Sequence, residues 1–360
     1  MKIFDHGGDI AKMARKLQRP AAELLDFSAS VNPLGMPAEV VAAAQAGVIA
    51  SAHYPEADAA GLIDALSAHF GLPAGHFLPG RGATDLLFLF PRVLRPRRAL
   101  LVAPCFSEYE RSLLQTGTAI DFFPLSPAER FRLDPARLLH RLEPETDLIV
   151  LANPGNPTGV AIPHEALIDI VQGAREQALV LVDESNVDFC PSRSVLPLLP
   201  DHQNLYILRS FSSFYAMPGL RAGFLAGPLR GIARLGEVRQ PWALSAPALA
   251  AAEACLAQED YRRQSLELIP AWREELATAL AGLGLAVFPS ETNILLVQLP
   301  LSWPGAGALT SVLASGGILV RDAGNFPSLD DRYFRVTVRT PEENHRLLAA
   351  LAALRHPPDC

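Results

Sequence analysis

Short apolar segments that alternate with helical stretches constrain the fold of this chain more than any other feature. The segments cover residues 99–103, 119–123, 148–151, 179–182 and 205–208. Strands that alternate with helices of about 10–15 residues form crossover units around a mainly parallel sheet. The nearly continuous apolar character of these segments indicates that both sheet faces are buried. The sequence therefore predicts an α/β fold, in which a mainly parallel sheet carries helices on both faces.

The character of the chain changes after residue 245. Because single cores stop growing near roughly 250–300 residues, a chain of 360 residues favours two domains. An alanine- and leucine-rich helical region over 246–283 is followed by short strand patterns and two more helices. We expect three parts: an N-terminal segment near the active site at 1–35, a large cofactor-binding domain at 36–245, and a smaller α+β C-terminal domain at 246–360.

Composition excludes several classes of partner. A net charge of −7 leaves no basic stripe for nucleic acid, and no segment offers the roughly 18 apolar residues of a membrane span. The four cysteines form no CxxC pair, so neither a metal site nor a disulfide framework is expected. The start of the chain lacks the apolar core of a signal peptide, which predicts a cytoplasmic protein. All three lysines lie within the first 16 residues, so an anionic ligand would depend on arginine.

Polar signatures follow the predicted strands at their carboxyl ends, where sites lie in sheets of this kind. They occupy residues 104–109, 153–159, 183–186 and 209–221. A further turn brackets Arg81 between Gly80 and Gly82 and opens a helix at Ala83 and Thr84. The free N–H groups and the dipole at such a helix start favour an anion. Several signatures that converge on one sheet edge predict a single binding site there.

Several motifs together resemble one family of enzymes. They are His6-Gly7-Gly8, the run from Phe27 to Gly35 (FSASVNPLG), residues 104–110 (PCFSEYE), residues 215–221 (YAMPGLR) and residues 338–344 (VRTPEEN). Over essentially its whole length the chain resembles the aminotransferase-like, fold type I family of pyridoxal-phosphate enzymes. The likeness is greatest to the L-threonine-O-3-phosphate decarboxylases of cobalamin synthesis and next to histidinol-phosphate aminotransferases. The resemblance implies a seven-stranded type of sheet, bound pyridoxal 5′-phosphate and a homodimer.

The resemblance also implies a role for each residue of the cofactor site. Asp183 would face the pyridine nitrogen, where an ionised carboxylate keeps the ring protonated as an electron sink. Asn156 would donate to the 3-oxygen, Asn186 would lie near it, and Phe106 would stack on the ring. Tyr54 would reach the cofactor phosphate of a partner subunit. The phosphate would otherwise be held by Ala83, Thr84, Ser210, Ser212 and Arg221.

A phosphorylated amino acid is the substrate that the resemblance implies. Arg335 matches the family's clamp for the substrate carboxylate, which a planar guanidinium binds through two parallel hydrogen bonds. The substrate phosphate would need further partners. Candidates for that role are His6, Asn32, Arg321 and Arg339.

Two positions depart from the family pattern. Ser213 stands where the family carries the lysine that bonds the cofactor, and Asn186 stands where an aromatic residue is usual. A hydroxyl cannot replace the amine. Transamination needs a positioned base, worth roughly 10²–10⁴-fold in rate, whereas the bond-breaking step of decarboxylation needs none.

These departures leave several readings open. The chain is a decarboxylase of L-threonine O-3-phosphate that is altered by the loss of the lysine, a non-catalytic homologue that binds cofactor or phospho-amino acid, or an enzyme similar to histidinol-phosphate aminotransferase. Ser213 is a natural divergence or an engineered change.

Overall fold

A seven-stranded sheet lies at the centre of the molecule. The structure is a computed structural model and describes residues 6–355. In chain order its α-helices are α1 (Ile10–Leu17), α2 (Ala38–Ala50), α3 (Ala60–Phe70), α4 (Gly82–Leu94), α5 (Ser107–Leu114), α6 (Pro135–His140), α7 (His164–Ala174), α8 (Leu229–Val238), α9 (Ala246–Cys255), α10 (Glu259–Gly282), α11 (Ala306–Ser315) and α12 (Pro341–Arg355). The strands are β1 (Leu25–Asp26), β2 (Phe77–Gly80), β3 (Arg98–Ala103), β4 (Ala119–Pro124), β5 (Thr146–Ala152), β6 (Leu179–Asp183), β7 (Leu205–Ser210), β8 (Gly223–Ala226), β9 (Ala286–Val287), β10 (Ile294–Gln298), β11 (Ile318–Leu319), β12 (Arg321–Asp322) and β13 (Tyr333–Thr337).

The central sheet confirms the predicted fold class. Its strand order is β2-β8-β7-β6-β5-β3-β4. Strands β4, β3, β5, β6 and β7 run parallel, and β8 pairs antiparallel with both β7 and β2. The predicted segments correspond to β3 through β7, each within two residues at either end.

Both faces of this sheet are buried, as the apolar runs indicate. Successive residues of a strand point to opposite faces, and here they join two different hydrophobic clusters. Leu100 and Val102 belong to one cluster, whereas Ala99, Leu101 and Ala103 belong to the other. Helices therefore cover the sheet on both sides, and the carboxyl ends of its parallel strands are left as the edge where a site can form.

The C-terminal part builds a separate small sheet, in the order β12-β13-β10-β9 with antiparallel pairing. Its core includes Phe27 from the N-terminal segment, which is fully buried. Next to it, β1 pairs in parallel with β11. The N-terminal segment is thus held against the C-terminal part of the chain, and this brings residues near position 30 to the edge of the central sheet.

Helices α9 and α10 connect the two cores. Buried residues of α9 pack in the same cluster as the central sheet, next to Val40 of α2. Along α10, Ile269 packs in that cluster, whereas Leu276 and Leu280 pack with the small sheet. The domain boundary at residue 245 stays a prediction. Within residues 6–355, no helix is both long and apolar enough to cross a membrane.

Candidate active site

A cavity at the carboxyl ends of β5, β6 and β7 collects the residues that the sequence predicts for the cofactor. It encloses about 710 Å³, part of it open to solvent. All of the predicted cofactor residues except Tyr54 line it, and Ser213 lines it too. They are Ala83, Thr84, Phe106, Asn156, Asp183, Asn186, Ser210, Ser212 and Arg221.

The start of α4 forms one end of this cavity. The backbone of Gly82 has a φ of +76°, which an L-residue rarely adopts. A Cβ atom at Gly82 would lie 2.6 Å from Nη2 of Arg221, so the glycine lets the guanidinium lie directly against the helix start. The first N–H groups of a helix have no acceptor within it. Together with the guanidinium they form a cationic, donor-rich end suited to a phosphate.

Asp183 lies on the cavity wall at the end of β6. Its Oδ2 accepts a hydrogen bond of 2.6 Å from the Tyr109 hydroxyl, and its Oδ1 accepts one of 2.8 Å from the Ser185 backbone N–H. Burial raises the pKa of the Asp183 carboxyl, while the hydrogen bonds from Ser185 and Tyr109 oppose this rise. A cationic ligand nitrogen would compensate the buried carboxylate.

Two asparagines on the cavity wall differ in their hydrogen bonding. Oδ1 of Asn156 accepts a bond of 2.7 Å from Nη1 of Arg335, so its amide nitrogen is the group left to donate to a ligand. Asn186 is 7% exposed, and its buried Oδ1 has no hydrogen-bond partner in the structure. Buried polar atoms are nearly always paired, so this oxygen is available to a donor bound in the cavity.

A second chamber adjoins the first and contains two buried arginines. Ser30, Phe106, Asn156 and Ser213 line both spaces, and the second adds His6, Arg321 and Arg335 to its wall.

Arg335 is held in this chamber by neutral oxygen atoms. It is 5% exposed and donates to Oδ1 of Asn156 and to the backbone oxygen of Ser28. Burial and then the charge of Arg321 lower the pKa of Arg335 to about 10. An anion in the chamber would relieve both effects.

Arg321 and His6 complete the wall of the second chamber. The Arg321 guanidinium lies 5.2 Å from the centre of the Phe326 ring and donates to Oδ1 of Asn325 at 2.8 Å. Nε2 of His6 lies 3.0 Å from Oε1 of Glu108, whose side chain is buried. The two arginines therefore make one side of the chamber cationic, and on the other side His6 contacts Glu108 of α5.

Three predicted site residues lie outside both chambers. Asn32 donates to the Ser265 hydroxyl at 2.9 Å and is fully enclosed. Arg339 makes a bidentate pair with Glu343, at 3.0 and 2.8 Å. Tyr54 is 84% exposed, with its ring 5.1 Å from that of Trp242. The structure does not bring these side chains together with the others in one chain, and their predicted roles stay predictions.

Two features of the site were missed by sequence reasoning. One is the hydrogen bond from Tyr109 to Asp183, which joins residues 74 positions apart. The other is a buried ion group in which Arg209 contacts Glu184 at 3.0 Å and Asp188 at 2.6 Å. Charged residues at the ends of neighbouring strands β6 and β7 were the available signal for the second, because adjacent strand ends must place them close together.

Comparison with known proteins decides the family. The family model described as aminotransferase class I and II matches residues 22–351. The chain belongs to this family. Threonine-phosphate decarboxylase of Salmonella typhimurium is 36% identical over 98% of this chain and 97% of its own length. Histidinol-phosphate aminotransferase 2 of Ralstonia nicotianae is 32% identical, covering 96% and 92%.

A solved structure extends the likeness to the fold. Histidinol-phosphate aminotransferase from Sinorhizobium meliloti, in complex with pyridoxal 5′-phosphate, has a TM-score of 0.89 and 25% identity, and covers 97% of this chain and 94% of its own. The central, mostly parallel sheet flanked by helices is thus the fold of this family of pyridoxal-phosphate proteins.

Proposed function

We propose that this protein catalyses the pyridoxal-phosphate-dependent decarboxylation of a phosphorylated amino acid, converting L-threonine O-3-phosphate to an aminopropanol phosphate for cobalamin biosynthesis. The observation that carries the proposal is the pair of buried guanidiniums, Arg335 and Arg321, in a chamber that opens into the cofactor cavity. The similarity to threonine-phosphate decarboxylase supports the choice of substrate.

The first cavity fits pyridoxal phosphate on three independent grounds. The start of α4 and Arg221 make an anion site at one end, where a side chain at Gly82 would intrude. The buried carboxylate of Asp183 suits a protonated ring nitrogen. The unpaired Oδ1 of Asn186 indicates that a polar ligand completes the wall. The start of α4 and Arg221 would hold the phosphate, and the Asp183 carboxylate would pair with the ring nitrogen.

The second chamber fits a substrate with two anionic groups. A phosphorylated amino acid carries a carboxylate and a phosphate, and the chamber offers one buried guanidinium for each. No carboxylate of the described residues forms a salt bridge with Arg335, so a substrate carboxylate would be its first charged partner. Charge-assisted bidentate pairs of this kind fix orientation as well as affinity.

The chain's own residues can orient a bond without moving a proton. Pyridoxal phosphate, when bound, supplies an electron-withdrawing ring that stabilises negative charge on the substrate carbon. Asp183 would keep a proton on the ring nitrogen, and Arg335 would hold the substrate carboxylate in place. Ser213 offers no amine that could act as a base. Transamination needs such a base, whereas the bond-breaking step of decarboxylation does not. We expect slow reprotonation and slow release of product.

A second function, binding without turnover, is favoured because none of the described residues that line the cavity carries an amine. The lysines of the described chain, Lys12 and Lys16, line a groove beside α1 and not the cavity. A histidinol-phosphate aminotransferase-like activity has support from similarity but needs the base that Ser213 lacks. For each function we propose a homodimer in the cytoplasm.

One experiment separates these functions. Purified protein is titrated with pyridoxal phosphate and then with O-phosphothreonine, while cofactor absorbance and released carbon dioxide are followed. Carbon dioxide release supports the decarboxylase, and an absorbance change without carbon dioxide supports the binder. No response to either ligand rejects the cofactor assignment. A Ser213→Lys variant is the companion, because faster release of carbon dioxide would show that only the amine was missing.

A further inference from the structure

The side-chain oxygen of Asn186 accepts no hydrogen bond from any of the residues that the structure describes. The residue is only 7% exposed, and it lines the cofactor cavity. A buried acceptor without a partner destabilises the folded protein. Such a group is retained when a ligand completes it, and an acceptor oxygen requires a ligand that carries an N–H or O–H donor.

The neighbouring asparagine makes this requirement specific. The Asn156 oxygen is already occupied by Arg335, so Asn156 presents its amide nitrogen, a donor. A donor for the 3-oxygen of the cofactor is thus supplied without Asn186. The oxygen of Asn186 is left to accept from a different atom of the bound molecules.

An amine nitrogen of the substrate would supply such a donor. Among the described residues no lysine lines the cavity, so these residues bring no amine to the reactive carbon of the cofactor. A nitrogen at that carbon must come from the amino acid substrate.

We propose that Asn186 is a positioning residue that accepts a hydrogen bond from the nitrogen which the substrate brings to the 4′ carbon of the cofactor. The proposal rests on the proposed function and deepens it. Its consequence is that the site binds a cofactor bearing nitrogen at the 4′ carbon more tightly than one without it. Cofactor and amino acid then strengthen the binding of each other, since coupling between two ligands is reciprocal.

Two stable ligands test this proposal by calorimetry, without turnover. Pyridoxamine 5′-phosphate carries an amine at the 4′ carbon, and 4′-deoxypyridoxine 5′-phosphate carries a methyl group there. We expect the first to bind the unchanged protein about tenfold more tightly, as one charge-assisted hydrogen bond allows. In Asn186→Leu the affinity for the amine should fall about tenfold, while the affinity for the methyl compound stays the same.

Two further variants separate positioning from a purely structural role. Asn186→Asp keeps an acceptor oxygen and should retain the preference for the amine. Asn204→Leu changes an asparagine of the same 7% exposure that lines neither chamber, and should leave the ratio of the two affinities unchanged.

The outcomes distinguish this proposal from the proposed function. Equal affinity of the unchanged protein for the two ligands, or an undiminished preference in Asn186→Leu, overturns the role of Asn186 while leaving the cofactor site in place. If neither ligand binds, the cofactor assignment fails and this role fails with it.

Discussion

At the scale of single residues, Arg335 is the group on which substrate recognition depends. Its partners, Asn156 and the backbone oxygen of Ser28, are neutral, so an arriving carboxylate would be its first charged partner. We expect Arg335→Ala to weaken binding of O-phosphothreonine about 10–100-fold, because hydrogen bonds to charged groups are worth about 1.5–3 kcal/mol. Cofactor affinity should change little.

Arg339 offers the matched control for this measurement. Its guanidinium already pairs with Glu343 and lies outside both chambers. Arg339→Ala should therefore leave ligand affinity within about twofold, since half-buried pairs of this kind contribute about 1 kcal/mol or less to folding. Calorimetry measures the affinity of both variants for O-phosphothreonine. A large loss of affinity in Arg339→Ala alone would show that Arg339, and not Arg335, binds the substrate.

We expect Tyr109 to influence the pH range over which the cofactor binds. Burial raises the pKa of Asp183, and the hydrogen bond from the Tyr109 hydroxyl opposes that rise. Pairing with a protonated ring nitrogen needs the carboxylate, so affinity is present above the pKa of Asp183 and is lost as the pH falls through it. In Tyr109→Phe that pKa should be higher still. The acid limb of the affinity profile, measured by fluorescence, should move to higher pH; a shift to lower pH would contradict this account.

At the scale of elements, the ends of β6 and β7 are joined by the buried group of Arg209, Glu184 and Asp188. Glu184 is fully buried, and burial raises its pKa against the opposing effect of Arg209. Replacing Arg209 by leucine would leave that carboxylate unpaired, so we expect a loss of about 3–5 kcal/mol of unfolding free energy. Urea denaturation measures it.

The same variant has a pH dependence with a definite sign. Without Arg209 the folded-state pKa of Glu184 should rise further above its unfolded value. An acid of this kind destabilises the folded state as the pH rises through the unfolded pKa, and the penalty disappears when the group is protonated. The stability difference between Arg209→Leu and the unchanged protein should therefore shrink in acid. A difference independent of pH would indicate lost packing instead of an unpaired charge.

Helices α2 and α9 contact each other at Gly47, and a substitution there tests the packing of the hydrophobic cluster that they share with the central sheet. A Cβ atom there would lie 2.6 Å from Cα of Pro247, a backbone atom that cannot move aside. Gly47→Ala should lower the unfolding free energy by about 1–3 kcal/mol, since the clash exceeds the gain in helix propensity. Gly282 ends α10 with nothing within 4 Å of its added Cβ, so Gly282→Ala should be neutral or slightly stabilising. Thermal unfolding of the two variants gives the comparison.

The elements also show which parts of the fold and of the site the sequence could predict. The apolar runs predicted β3 to β7, since burial on both faces leaves a local signature, and the polar residues after them predicted the cavity. The packing of α9 beside α2 could not be predicted from the sequence, because an alanine-rich helix can pack against many different helices. The contact of Asn32 with Ser265 depends on how distant segments meet. Arg339 and Glu343 are only four residues apart, but Arg339 precedes α12, which begins at Pro341, so helical spacing did not predict their pairing either.

At the scale of the whole molecule, we expect a second copy of the chain to bind at a set of exposed apolar side chains. It is defined by Val48, Ile49, Tyr54 and Trp242, which are 63%, 82%, 84% and 49% exposed. Apolar side chains grouped on a surface mark interaction sites more often than isolated ones do. Tyr54 is also the residue predicted to reach the cofactor phosphate of a partner subunit, so this surface and the cofactor site belong to one hypothesis.

Two variants of this surface separate assembly from cofactor binding. Ile49→Asp should convert a species of twice the chain mass into monomer in sedimentation, because a charge would be buried at the interface. It should also weaken cofactor binding, since Tyr54 could no longer reach the neighbouring site. Tyr54→Phe should weaken cofactor binding several-fold with the mass unchanged, as loss of one hydrogen bond to a phosphate allows. Leu301, 93% exposed and outside this surface, provides the control Leu301→Asp, which should change neither quantity. A monomeric unchanged protein that binds the cofactor fully would show instead that each chain completes its own site.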